Sequence, residues 1–298
     1  MADDERGTAW LPRRIAVIGS GIMGSGIAQV LAVGGFEVAL HDAMTTQLEQ
    51  ALATIQGNLA RHVTAGRLEP SAAESALARV RRCTDLRDAA ADVDLVIEAI
   101  VERLPAKQAL FQELDELCLP TAVLATNTSQ FSITAIAAAT RRPDRVVGMH
   151  FFNPPPVMRL VEVVRGQRTS DETLETVRRL AARLGKEVVL SADSQGFITS
   201  RVIAIVMLEA MRIVQEGVAE AADVDRACRL AFNWPMGPIE LADFVGLDTL
   251  QYSSEALASA FGERFLPPQN LRRLVAAGAL GRKSGGGFHP AAGKGTSV

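Results

Sequence analysis

The glycines at positions 19, 21 and 24 constrain this chain more than any other feature. They follow Ile15 to Ile18, a short continuous apolar run of the kind that fills a buried parallel strand. They open an apolar segment from Ile22 to Val33 that reads as a helix, closed by Gly34 and Gly35. A second short strand, Val38 to Leu40, ends at His41-Asp42. A GxGxxG spacing alone carries little weight. Placed between a strand and a helix, with an acid about 20 residues on, it describes a loop that brings backbone N–H groups and the positive end of a helix dipole against a pyrophosphate. On this reading Gly19, Gly21, Ile22, Met23 and Gly24 line a dinucleotide, with Gly26 one turn further along. Asp42 fits the ribose hydroxyls. An acid there repels a 2′-phosphate, and Ala43-Met44 supplies no arginine to reverse the preference, so NAD rather than NADP is expected. Packing alone is the competing reason for glycines at such a turn.

Alternation continues downstream, with strands expected at Leu95 to Ala99, Ala122 to Thr126 and Val146 to Phe151, and helices at Leu104 to Leu117 and Ser132 to Ala138. Strands alternating with helices imply an α/β, Rossmann-type, doubly wound and mostly parallel sheet. Thr45 to Arg79 interrupts it with few strand signals and reads as a helical insertion of two helices broken near Gly66 and Pro70. Arg61, His62 and Arg67 cluster before that break. They could meet the phosphates of a large substrate, or simply form a solvated face.

Within His150 to Val164, two apolar runs flank Pro154, Pro155 and Pro156. The prolines can continue neither ladder nor helix, so the stretch reads as a hairpin. A turn centred on Pro156 sets position 150 opposite position 162, where directly opposed residues share a face. An imidazole would then meet the Glu162 carboxylate, the arrangement of a general base oriented by an acid, or of a buried histidine paired for structure. Other strand ends are polar too. Glu98 and Glu102 follow one strand, and Asn127, Thr128 and Ser129 follow the next. Open α/β sheets place their ligand crevice there, although Asn-Thr-Ser is also an ordinary helix cap.

A chain of 298 residues exceeds what one core usually supports, so two domains are the default. We expect a disordered leader over 1–12, a nucleotide domain over 13–191 with a last strand at Gly185 to Leu190, and a helical domain over 192–298. Helices are expected over Ile198 to Gln215, from Asp223, and from Ile239, Asp248 and Pro268. The uninterrupted apolar run Val202 to Leu208 exceeds what one face of a surface helix needs, so burial all round is expected, with a subunit interface as one way to supply it. A formal net charge of -3 leaves no footprint for nucleic acid or an anionic membrane. Cys83, Cys118 and Cys228 are odd in number and lack CxxC spacing, which indicates neither disulfides nor a metal site. The acidic N-terminus has no apolar run and no segment is long enough to span a bilayer, so a cytoplasmic protein is expected. GRKSGGGF at 281 to 288 lacks phosphate-loop spacing, which argues against an NTPase.

The chain resembles the L-3-hydroxyacyl-CoA dehydrogenases, including bacterial 3-hydroxybutyryl-CoA dehydrogenases, over nearly its whole length. The resemblance is carried by VIGSGIMGSGIAQ at 17 to 29, EAIVERLPAKQALF at 98 to 111, NTSQFSIT at 127 to 134 and HFFNPPPVMRLVEVV at 150 to 164. DSQGFITSR at 193 to 201, NWPMGPIELADFVGLD at 233 to 248 and GRKSGGGF complete it. It implies reversible NAD-dependent oxidation of an acyl-CoA substrate and a homodimer formed through the helical domain. His150 would be the base, Glu162 its partner and Ser129 the hydroxyl touching substrate and nicotinamide. Glu102, Lys107, Asn127 and Lys283 would fall at the dinucleotide. One departure concerns the site itself: where the family usually has Pro and Asn, this chain has Gln195 and Ser200. The Asn is a catalytic-site residue, and serine lacks the amide's simultaneous donor and acceptor. Two other functions share these residues: a dehydrogenase of the same fold acting on a free hydroxy acid such as a sugar acid, and a non-catalytic NAD-binding protein.

Overall fold

Continuous apolar runs become the buried centre of one sheet. The computed structural model describes residues 11–290, and the chain divides after Ser194 into two compact units. The expected leader lies outside the described residues except for Leu11 and Pro12, and Pro12 is buried.

The first unit runs β1 (Arg14–Ile18), α1 (Ile22–Val33), β2 (Glu37–His41), α2 (Thr45–Thr64), α3 (Pro70–Ala78), β3 (Val80–Cys83), α4 (Leu86–Ala90) and β4 (Leu95–Glu98). It continues with α5 (Leu104–Leu117), β5 (Val123–Thr126), α6 (Ile133–Ala137), β6 (Val146–Phe151), β7 (Leu160–Arg165), α7 (Asp171–Arg183) and β8 (Glu187–Ala192). The strands form one sheet in the order β3-β2-β1-β4-β5-β6-β7-β8. Every pairing is parallel except that of β6 with β7. The order turns back between β1 and β4, the switch point at which open α/β sheets leave a crevice at the strands' carboxyl ends.

Ile15, Val17, Leu40, Leu95, Ile97, Ala125 and Val147 bury fully or nearly so in a core closed by Ile27 and Leu31 of α1 and by Val177 and Leu180 of α7. Each such Val, Leu or Ile contributes about 1.5–3 kcal/mol when removed from water. The two insertion helices join this core through Leu48, Ile55 and Leu59 of α2 and Ala76 of α3.

Three elements were not anticipated. β3 pairs with β2 at the sheet's edge with Arg81 and Arg82 exposed, so it carries no apolar signature. The short α4 is capped by the Asp85 carboxylate, which accepts from the Asp88 N–H. α7, between β7 and β8, supplies the crossover that parallel pairing requires. The last strand runs two residues later than expected, and Ser132 caps α6 instead of beginning it.

The second unit is helical: α8 (Thr199–Gln215), α9 (Ala221–Phe232), α10 (Pro238–Val245), α11 (Leu247–Phe261) and α12 (Gln269–Ala276). Ala204, Met207, Leu208 and Met211 of α8 pack with Ala242, Leu250, Leu257 and Leu271. Burial all round α8 is not what this chain shows: Val202 is 58% exposed, and Ile198 just before the helix is 43% exposed. An apolar run alone does not separate a core helix from one with an apolar outer face.

GRKSGGGF folds around a buried carboxylate. Asp243 accepts the N–H groups of Phe288 at 3.0 Å and His289 at 2.8 Å. Gly281 has φ +91°, and a Cβ on it would stand 2.2 Å from the Asp243 carbonyl oxygen. These glycines therefore serve close packing. Beside them, Asp225 accepts from the Ile239 N–H at 2.8 Å and lies 2.7 Å from Nε2 of His289.

Candidate active site

The carboxyl ends of β1, β2, β4, β5 and β6 carry most of the first unit's predicted functional residues, with Lys107 on α5, Glu162 on β7, and Arg61 and Arg67 on and beyond α2. At the end of β1 the chain must turn into α1 at once. Gly19 adopts φ +100°, and a Cβ there would stand 2.6 Å from the carbonyl oxygen of Ala99. Gly24 approaches the Gly19 carbonyl more closely still, so neither position admits a side chain. A Cβ on Gly21 would meet nothing within 4 Å, which leaves open space at the mouth of the loop. The first turn of α1 has neither a side-chain cap nor an acidic residue. Its N–H groups and dipole thus suit an anion.

Asp42 follows β2 and faces the same loop. Its Oδ2 accepts from the Ser20 N–H at 3.0 Å and the Ser20 hydroxyl at 2.9 Å, and its Oδ1 accepts from the Met44 N–H at 3.1 Å. Burial pushes this carboxyl up, but these donors outweigh it and hold its pKa below the usual carboxylate value. The residues present therefore fit a dinucleotide: an anion cradle at Gly21 and an ionised acid one strand away.

Two exposed apolar residues at the strand ends drew no notice in the sequence. Met44 and Val101 are 57% and 64% exposed, and with Ile22 at 76% they set large apolar side chains just beyond β2, β4 and β1.

Glu98 ends β4 with no exposure, and Lys107 of α5 is 1% exposed with Nζ 2.6 Å from Glu98 Oε1 and 3.0 Å from Glu102 Oε2. The other oxygen of Glu102 accepts from the Thr128 hydroxyl at 2.5 Å and the Ser129 N–H at 3.0 Å. Asn127 Oδ1 accepts from the Phe151 N–H at 2.8 Å, tying the loop after β5 to the end of β6.

β6 and β7 pair antiparallel with His150 opposite Glu162. Nδ1 of His150 lies 2.8 Å from Glu162 Oε2, with the side chains 8% and 0% exposed. Phe152 stacks at a tilt on the imidazole, ring centroids 4.4 Å apart. A buried carboxylate on Nδ1 fixes the ring's orientation and assigns proton exchange to Nε2.

Ser200 and Lys283 belong to the second unit, in the first turn of α8 and in GRKSGGGF. Lys283 Nζ bonds Asp248 Oδ2 at 2.7 Å. Arg61 bonds Asn58 on the surface of α2, and Arg67 is exposed in the turn beyond it. Neither is drawn toward the residues above by any hydrogen bond among the described residues. Among the described residues, no group of three His, Cys, Asp or Glu could hold a metal ion, and no helix is long and apolar enough to cross a membrane. A cavity of about 720 Å³ in the second unit is lined by Arg229, Glu240 and Arg282. Both arginines there are already paired with Glu240.

A glycine loop at an uncapped helix N-terminus, an ionised acid one strand away and an imidazole oriented by a buried carboxylate are the arrangement expected of an NAD-dependent dehydrogenase. Residues 14–194 match the family model for the 3-hydroxyacyl-CoA dehydrogenase NAD binding domain, and residues 196–290 match that for the 3-hydroxyacyl-CoA dehydrogenase C-terminal domain. The chain belongs to the 3-hydroxyacyl-CoA dehydrogenase family. It is 45% identical over 277 residues to a probable 3-hydroxybutyryl-CoA dehydrogenase of Deinococcus radiodurans, covering 93% of this chain and 99% of that one. Among solved structures, M. tuberculosis FadB2 superposes with a TM-score of 0.92 at 41% identity, covering 95% of this chain and 100% of that one. The (S)-3-hydroxybutyryl-CoA dehydrogenase PaaH1 from Ralstonia eutropha gives 0.90 at 38% identity, covering 94% and 99%.

Proposed function

We propose that this oxidoreductase interconverts (S)-3-hydroxyacyl-CoA and 3-ketoacyl-CoA, with the four-carbon 3-hydroxybutyryl thioester as its substrate, and that His150 is the general base. The observation that carries this reading is the buried His150–Glu162 pair at the carboxyl end of β6. NAD, when bound, supplies the hydride acceptor. Nε2 of His150 takes the proton of the C3 hydroxyl, and Glu162 on Nδ1 stabilises the imidazolium that results. Ser129 orients the substrate oxygen from the loop after β5. Ser200 stands where relatives by the resemblance carry an amide. Gly19, Gly21, Ile22, Met23, Gly24, Asp42, Glu102 and Asn127 hold the cofactor. Support for the short acyl group comes from the names of the similar proteins, which specify 3-hydroxybutyryl-CoA.

The chain acts as a homodimer in the cytoplasm. Exposed Val202, Leu230 and Phe232 give the helical unit apolar surface for a second copy, and the described cysteines are unpaired thiols, as a reducing compartment keeps them.

Turnover of acetoacetyl-CoA with NADH, set beside free acetoacetate and gulonate, tests the reading. We expect the thioester to be reduced and both free acids to be left untouched. Faster turnover of a free acid replaces it with a hydroxy-acid dehydrogenase.

A further inference from the structure

We propose that Glu98 and Lys107 are positioning residues for the Ser129 loop, acting through Glu102; the catalytic consequence rests on the function proposed above. Lys107 stands where a lysine is least favoured. It lies in the first turns of α5, where the helix dipole opposes a cation, and its side chain is 1% exposed. A buried ammonium is tolerated only with close, hydrogen-bonded counter-charges, and it has two.

Each carboxylate uses its two oxygens differently. Glu98 Oε1 takes the Lys107 ammonium at 2.6 Å and the Ile100 N–H at 2.8 Å, while Oε2 takes the Thr126 hydroxyl at 2.7 Å. Glu98 thus locks Lys107 to the ends of β4 and β5. Glu102 is different, being 31% exposed and placed on the irregular segment before α5. Its Oε2 is held by Lys107 at 3.0 Å, which turns Oε1 toward the loop. There it accepts from the Thr128 hydroxyl, the Ser129 N–H and, at 3.4 Å, the Ser129 hydroxyl. The Thr128 oxygen in turn accepts from the N–H groups of Gln130 and Phe131. Three of the loop's bonds therefore converge on one glutamate oxygen whose direction Lys107 sets, while the Thr128 N–H bonds Thr126 Oγ1. Stability alone does not call for this arrangement, because a well-packed apolar pair serves a core as well as a buried ion pair. Direction is what the charges add.

The test pairs two substitutions so that no uncompensated charge is left buried: Glu98→Gln with Lys107→Met. Amide hydrogen exchange and acetoacetyl-CoA kinetics are both read. Exchange over residues 128–131 should accelerate while β4 and β5 keep their protection. kcat should fall roughly 10- to 100-fold, the cost of a small misplacement at a reacting group. Adding Ser129→Ala should then cost less than it does in the otherwise native chain, since both changes act through one residue. Unchanged exchange over 128–131, or full additivity with Ser129→Ala, overturns the proposal. Thr126→Val removes one bond to Glu98 without changing charge, and with it the acceptor of the Thr128 N–H, so exchange in it is read at residues 129–131; it keeps the question open should the paired variant not fold. It should show the same exchange signature at smaller size, and native-like exchange in it counts against the proposal. Hydrogen exchange needs no substrate. A wild-type chain inert on acyl-CoA would defeat the proposed function and leave the loop result to decide this inference.

Discussion

Pro155, in the connection between β6 and β7, rests on the bare backbone of Gly26 in α1. A Cβ at Gly26 would stand 2.7 Å from Cδ of the proline ring. The helix that follows the glycine loop and the hairpin that carries His150 are thus in direct contact, and the turn is also held by Lys186, whose Nζ donates to the carbonyl oxygens of Pro155 and Met158 at 2.6 and 2.7 Å.

Gly26→Ala should therefore destabilise the fold by about 1–3 kcal/mol, because a ring cannot yield as a flexible side chain does. kcat should fall with it as the hairpin shifts. Gly57→Ala is the control: it lies inside α2 with nothing within 4 Å of its Cβ position, and should stabilise by roughly 0.5–1 kcal/mol. Thermal unfolding of the two variants should move in opposite directions.

His150→Gln should lower kcat roughly 10²- to 10⁴-fold while NADH affinity, followed by fluorescence titration, stays near native. Retention of most turnover would place the base elsewhere. Glu162→Gln should also lower kcat, through loss of the charge that stabilises the imidazolium.

Asp42→Ala should narrow the preference for NAD over NADP, measured as the ratio of kcat/KM values. The sign of its pH dependence follows from its donors. Because Ser20 and Met44 hold the carboxyl below its ordinary pKa against the opposing effect of burial, the ionised form persists through the neutral range and into mild acid. The native preference should stay level from pH 9 down past pH 5, and weaken only as the pH falls through the depressed value. A preference that fades between pH 7 and 6 would point to another group.

Ser200→Asn should raise kcat/KM on acetoacetyl-CoA. A missing buried hydrogen-bond partner costs about 1–3 kcal/mol, roughly 5- to 150-fold. A fall in activity would instead mark a site adapted to a bulkier acyl group, and unchanged kinetics across short, long and branched substrates would show the position to be neutral.

Thiol reagents should leave activity intact at pH 8. Burial pushes the Cys118 thiol up to about 11 and also raises Cys83 and Cys228, so little thiolate is present to react. Cys228 is the least buried of the three and should be alkylated first. Rapid labelling of Cys118 in the native protein would contradict the packing described around it.

Much of this was legible in the residues, for identifiable reasons. A GxGxxG run between a strand and a helix has few ways to fold, and Gly19 and Gly24 occupy positions that exclude a Cβ. A proline turn centred on Pro156 with an apolar run on either side set the 150–162 register, which the ladder reproduces. What escaped depends on partners distant in sequence. Arg81 and Arg82 conceal an edge strand because only one neighbour covers it. Lys107, which the resemblance puts at the dinucleotide, is buried with its ammonium on Glu98 and Glu102, a pairing that shows only once the end of β4 folds against α5. Val202 lies in a run apolar enough for a core, yet the helical unit covers only the opposite stripe.

β7 is the first strand of the sheet to run against its neighbour, and this reversal has a consequence for how the site comes into being. In an all-parallel sheet, a residue opposite His150 would have to return from the far end of a crossover. Here the partner is 12 positions away, at the other end of one hairpin. Closing so short a loop costs little chain entropy and is among the fastest steps available to a folding chain. The acid and the base are thus delivered as a single local cassette, whose internal alignment does not wait on the distant strands of the nucleotide fold.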